Sequence, residues 1–130
     1  MRVVYDTNVL ATILSRRDQV LQLQRAVSSG RITLVTSSFI LQELEAVLIE
    51  KFKLTKQGAK VRTRLLARIA DVVQPTFIDK VVRDPDDDMI LATAITGRAS
   101  YILTLDNDLL VLKTYKGITI ETPTDFQDPK

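Results

Sequence analysis

Asp6, Glu43, Asp88 and Asp106 are the residues whose types and positions could carry chemistry in this sequence. Asp6 ends a short β-rich run of Val3, Val4 and Tyr5. Glu43 lies in a helical stretch whose inward stripe is Ile40, Leu44, Val47 and Leu48, and at 100° per residue it falls on the flank of that stripe. Asp88 leads directly into an apolar segment at residues 89–95, and Asp106 follows a strand-like run at residues 101–105. Taken singly, each acid has an ordinary explanation as a turn, cap or boundary residue. Taken together on one sheet edge they would repel, by about 4 kcal/mol per pair at about 4 Å and an effective dielectric near 20. Such a cluster persists when it binds cations or holds protons. With no histidine and no cysteine in the chain, the donors are hard oxygens, which select Mg²⁺ or Mn²⁺. Those ions activate water and neutralise a phosphodiester transition state without any histidine.

The elements that must position these acids alternate between strand and helix. Strands are expected at residues 3–5, 32–35, 72–73, 101–105 and 118–120. Helices are expected over residues 9–14, 19–29, 39–51, 55–70, 85–95 and 106–112, with Gly30 and Gly97 as stops and Thr36, Ser37 and Ser38 as cap candidates. Residues 89–95 are apolar nearly all round and should be deeply buried. The pattern predicts a three-layer α/β/α fold of the doubly wound kind, with a central parallel sheet of about five strands and one domain over residues 1–130. Ligands in such folds bind outside the carboxyl ends of the strands, where strand order reverses. Asp6 and Asp106 both fall at that edge.

Charge is unevenly distributed. Residues 51–68 hold seven bases, Lys51, Lys53, Lys56, Lys60, Arg62, Arg64 and Arg68, and no acid. Residues 71–108 hold eight acids against Lys80, Arg83 and Arg98. A solvated helix face accounts for the basic run by itself; beside an acidic segment it also fits a polyanion tracked by one region and metal held by another.

The composition, 45% hydrophobic and 26% charged, excludes a disordered chain. No apolar run approaches the roughly 18 residues of a membrane span, and the opening MRVVYD is too soon charged for a signal peptide. The absence of cysteine removes disulfides and thiol chemistry. These features lead us to expect a prokaryotic cytoplasmic protein.

Four segments, MRVVYDTNVL, SSFILQEL, RDPDDDMILATAI and YILTLDNDLL, resemble PIN domains in order and spacing. The resemblance extends over essentially the whole chain and is nearest to the branch that serves as toxins of toxin–antitoxin systems, the VapC-like ribonucleases. It implies that Asp6, Glu43, Asp88 and Asp106 are the metal-binding and catalytic acids, that Asp108 is an auxiliary ligand, and that Asn8 and Thr104 orient the acids or a metal-bound water. It further implies Mg²⁺ or Mn²⁺ as cofactor, single-stranded RNA as substrate, a cognate antitoxin as partner and a homodimeric state.

The expected reaction is hydrolysis with water as nucleophile, leaving 5′-phosphate and 3′-hydroxyl ends. The basic run is the candidate for following the RNA backbone. Three other readings of the same acids are distinguishable. A receiver-like signalling domain requires a phosphoacceptor Asp after a central strand, and the run at residues 32–35 ends in Thr36 and Ser37. A haloacid-dehalogenase-type phosphatase requires Asp-x-Asp-x-Thr after the first strand, and residues 6–8 are Asp-Thr-Asn. A non-catalytic RNA- or protein-binding module on the same fold stays open and would not require a divalent ion.

Overall fold

β-branched and aromatic residues begin the sheet, and capped helices separate its strands. A computed structural model describes residues 1–126. In chain order the elements are β1 (Arg2–Tyr5), α1 (Thr7–Leu14), α2 (Arg17–Ser28), β2 (Thr33–Ser37), α3 (Ser38–Glu50) and α4 (Lys56–Ile69). They continue with β3 (Asp71–Val73), α5 (Pro85–Thr96), β4 (Tyr101–Leu103), α6 (Asn107–Leu110), β5 (Thr114–Tyr115) and β6 (Ile118–Glu121).

The sheet order is β3-β2-β1-β4-β6-β5. β1 pairs in parallel with both β2 and β4, which places Val4 beside Val35 and Ile102. The chain therefore builds outward from β1 in one direction through β2 and β3, then returns to its other side with β4. The reversal falls between β1 and β4, and their carboxyl ends flank the crevice where such folds bind ligands.

Helices flank the sheet in three layers. α5 packs on β1, β2 and β4, while α3 packs on β2 and against α1 and α4. The central strands are buried on both faces, with Val3, Val4, Leu34, Val35 and Ile102 fully inaccessible, as a parallel sheet covered by helices requires. Each such side chain contributes about 1.5–3 kcal/mol of burial free energy.

The expected layering and direction of the sheet hold, with three differences. The sheet has six strands, because the two-residue β5 pairs antiparallel with β6 at an edge. β4 stops at Leu103 rather than at residue 105: Thr104 turns its hydroxyl toward Asp6, and Leu105 is left 63% exposed. In α5, Ile90, Leu91, Ala92 and Ala94 are buried as expected, but Ile95 at the C-terminal turn is 40% exposed.

Local chemistry accounts for the element ends. Ser37 closes β2 and caps α3, its hydroxyl accepting from the Ile40 N–H. Thr55 caps α4 and Asp84 caps α5, followed by Pro85 in the first turn, where its missing N–H costs nothing. Gly97 ends α5 at φ −85°, so a left-handed backbone does not explain the glycine. Space does: a Cβ at Gly97 would lie 2.3 Å from Val35 Cγ1. The left-handed residue is the next one, Arg98, at φ 53°. Among the described residues, no helix is long and apolar enough to cross a membrane.

Candidate active site

Asp6 follows β1 at the switch point and is 8% exposed. It caps α1: Oδ1 accepts from the Thr7 N–H at 2.6 Å, and Oδ2 accepts from the Thr104 hydroxyl at 2.6 Å. The same Thr104 oxygen accepts the Asp106 N–H at 3.0 Å. Asp106 in turn caps α6 by accepting from the Asp108 N–H at 2.9 Å. The first strand and the fourth are thus tied at their carboxyl ends through one buried hydroxyl. Thr104, expected to orient an acid, lies between Asp6 and Asp106 and is hydrogen-bonded to both.

α3 supplies the next wall. Glu43, Val47 and Lys51 recur every four residues and share the face that looks into a cavity of ≈ 220 Å³. Glu43 is held there by the hydroxyl of Thr7, which donates to its Oε1. The remaining wall is the N-terminal turn of α5, with Asp84, Asp86, Asp87 and Ile90.

Asp88 does not face this cavity. Consecutive residues of a helix diverge by about 100°, so Asp87 and Asp88 point to different sides. Asp87 shares its face with Ile90 and lines the acidic cavity. Asp88 shares its face with Leu91, Ala92 and Ile95 and lines a separate cleft with Phe77 and Tyr115. The Asp88 carboxylate is already occupied: Oδ1 accepts from the Val81 and Val82 N–H groups at 2.9 and 3.0 Å. Where the sequence placed Asp88 among the acids of the site, the structure lines the cavity with Asp87, together with Asp84 and Asp86. Thr7 is the other participant that sequence reasoning missed. Its signal was its position directly after Asp6 at the start of a helix.

The electrostatics follow from burial and crowding. Burial raises the pKa of Asp6 above the ordinary aspartate value; the Thr104 and Thr7 hydrogen bonds oppose the rise, and the charges of Asp106 and Asp84 add to it. Burial likewise raises Glu43, with the Thr7 hydroxyl opposing and Asp86 adding. Asp87 is pushed up to about 7, first by burial, then by the charge and hydrogen bond of Asp106, then by Asp6 and Asp84.

The site fits a hard divalent cation. Asp87 Oδ2 is buried with no hydrogen-bond partner among the described residues, and a buried carboxylate oxygen without a donor is costly unless a cation meets it. Carboxylate oxygens of Asp87, Asp106 and Asp108 lie within 4.8 Å of one another. Asp6 and Glu43 add further carboxylates to the lining. Asp108 is also engaged by Arg83, whose Nη2 lies 3.0 Å from both its carboxylate oxygens, which places it at the rim.

The basic run divides. Lys51 reaches the cavity and donates to Asn8 Oδ1 at 3.5 Å. Arg62 is spent on the Leu14 and Gly58 carbonyls. Lys56, Lys60 and Arg64 form an exposed row on α4 at four-residue spacing, with Lys53 and Arg68 also exposed.

A doubly wound α/β protein with a carboxylate-lined cavity at its switch point is the class that this fold and site define. Residues 2–108 match the model of the PIN domain. The chain belongs to the PIN domain family. Among solved structures it is similar to a chain of VapBC2 from Rickettsia felis, a complex bound to a DNA fragment from its promoter. The similarity has a TM-score of 0.62 at 16% identity, covering 94% of this chain and 98% of that one, and it concerns the fold. No curated protein matches the sequence.

Proposed function

We propose that this single PIN domain is a Mg²⁺- or Mn²⁺-dependent endoribonuclease that hydrolyses phosphodiester bonds of single-stranded RNA, acting as the cytoplasmic toxin of a toxin–antitoxin pair. The observation that carries the reading is Asp87, one of whose buried carboxylate oxygens has no hydrogen-bond partner among the described residues, in the same cavity lining as Asp6 and Asp106, the acids that follow β1 and β4. Asp6, Asp87, Asp106 and Glu43 would hold the ion or ions, with Asp108 joining from the rim. Asp88 takes a structural role, holding the segment before α5.

A bound divalent ion supplies Lewis-acid stabilisation of the phosphodiester oxygens and lowers the pKa of water. The chain's own residues do the positioning. Thr104 fixes the Asp6 carboxylate in one rotamer. Thr7 holds Glu43 at the cavity wall, where its raised pKa suits a base taking a proton from the attacking water. Attack by water leaves 5′-phosphate and 3′-hydroxyl ends. The exposed row on α4 is the candidate track for the RNA backbone.

The antitoxin partner and the homodimer are proposed from the family resemblance, and the partner also from the fold shared with the VapBC2 complex. The test is cleavage of an end-labelled single-stranded RNA by wild type and Asp6→Asn, in EDTA and in Mg²⁺ or Mn²⁺. We expect metal-dependent cutting that the mutant lacks. Recovery of 2′,3′-cyclic phosphate ends would rule out this mechanism. Absence of metal-dependent cutting across RNAs and DNAs would favour a non-catalytic binding module.

A further inference from the structure

Six of the residues lining the acidic cavity are acids and one is a base, Lys51. An RNA strand carries its own negative charge into that wall. Divalent ions offset part of the acidity, yet carboxylates on this scale repel any phosphate that is not itself held on a cation. The strand needs a positive group at the mouth, and Lys51 is the one the lining provides.

Its placement is fixed by the backbone. Lys51 is the C-terminal cap of α3, its N–H bonded to the Val47 carbonyl at 2.8 Å. The negative end of the helix dipole favours an ammonium there. Among the described residues the ammonium has a single hydrogen bond, the long one to Asn8 Oδ1 at 3.5 Å, and the residue is exposed. A lysine has three donors, so two are available at the cavity. Arg62 is tied to backbone carbonyls and Arg83 to Asp108, and the exposed bases of α4 do not line the cavity. Lys51 also lies two four-residue steps along α3 from Glu43, about 12 Å between the backbones by helix geometry. A phosphate on Lys51 is therefore a neighbour of the bond presented to the acids, and not that bond itself.

Building on the nuclease reading above, we propose that Lys51, steadied by Asn8, is a substrate-positioning residue that anchors a phosphate flanking the scissile one and leads the strand from the α4 row into the acidic cavity. It contributes to binding the strand equally before and during reaction. It therefore governs KM and leaves kcat in place.

The experiment compares wild type, Lys51→Met and Lys51→Arg on a fluorescent single-stranded RNA oligomer in Mn²⁺, measuring kcat and KM over a salt series, with melting temperatures as a folding check. We expect Lys51→Met to raise KM roughly tenfold, the loss of one charged contact, with kcat within about twofold. The slope of log affinity against log salt should fall by about 0.7, the value for one phosphate contact on a single strand. Lys51→Arg should restore both. Unchanged KM and slope in Lys51→Met, or a loss confined to kcat, overturns the anchor while leaving the nuclease reading intact. If wild type itself neither binds nor cuts RNA, the nuclease reading falls and the anchor falls with it.

Discussion

Asp87 and Asp88 are adjacent in the chain, yet their carboxylates serve different sides of α5. Asp87 faces Asp106 and Asp6 in the acidic cavity, and Asp88 receives two backbone N–H groups from the segment before the helix. Their substitutions should therefore separate. Asp87→Asn should abolish metal-dependent cleavage with the fold intact. Asp88→Asn should keep both activity and fold, because both of its bonds go to a single oxygen that an amide can replace. Asp88→Ala should lose about 1–3 kcal/mol of stability by stranding the Val81 and Val82 N–H groups. Urea unfolding and RNA cleavage on the three variants check this; inactive, folded Asp88→Asn would return the catalytic role to Asp88.

Thr104 ties Asp6 to Asp106 through one hydroxyl. Thr104→Val keeps the shape and removes that hydroxyl, leaving an Asp6 oxygen and the Asp106 N–H without their partner. A stability loss of about 1–3 kcal/mol is expected, together with reduced cleavage, and Thr104→Ser should recover most of both. Thermal melts beside cleavage rates read the two effects separately.

pH should act through Asp87. Its folded pKa of about 7 lies above the ordinary aspartate value of 3.8, so the folded state binds more protons than the unfolded state between those values. The contribution of Asp87 to stability is fully present below about 3.8 and is lost as pH rises through about 7. In EDTA the protein should melt at a higher temperature near pH 5 than at pH 8, with the raised Asp6 and Glu43 acting in the same direction. Asp87→Asn should flatten that trend and raise the pH 8 melting temperature by about 4 °C for each ~1 kcal/mol relieved. An identical pH dependence in the mutant would contradict the assignment.

Cation binding should stabilise the fold by mass action. At a hundredfold excess over Kd the gain is about 2.7 kcal/mol, on the order of 10 °C for a chain of this length. Differential scanning fluorimetry with Mn²⁺ and Mg²⁺ should show it for wild type and Asp88→Asn, and much less for Asp87→Asn and Asp106→Asn. A full shift in Asp87→Asn would remove that carboxylate from the ligand set.

Gly97 sits against Val35, where a Cβ would come within 2.3 Å of Val35 Cγ1. Gly97→Ala should therefore destabilise by about 1–3 kcal/mol through overpacking, despite the better helix propensity of alanine. Combining it with Val35→Ala should recover part of the loss in a denaturant titration, since the second change removes the obstructing methyl.

The sequence made the frame of the site readable where acids abut strands. Asp6 and Asp106 stand just beyond β1 and β4, and parallel pairing brings those two ends together. Glu43 was readable because a helical stripe fixed its side of α3. The choice between Asp87 and Asp88 was not readable in the same way. Both stand at a helix N-terminus before a segment apolar on nearly every face, and only the placement of α5 on the sheet decides which side looks into the cavity. Among the seven bases of residues 51–68, nothing in composition distinguishes Lys51; the contact between α1 and α3 does, by bringing Asn8 to it. β5 is two residues long and carries no periodicity to read.

The pairing of β1 with β4 has a consequence for synthesis. Asp6 leaves the ribosome early, but its partner Thr104 and the facing Asp106 come nearly a hundred residues later. Long-range parallel pairing forms late because chain closure precedes its reward. No nascent chain that stops short of β4 can assemble the cavity, whatever its earlier helices have achieved. Asp87 and Asp106 therefore join Asp6 and Glu43 only late in translation, and a truncated product carries part of the acidic set without the cavity that brings it together.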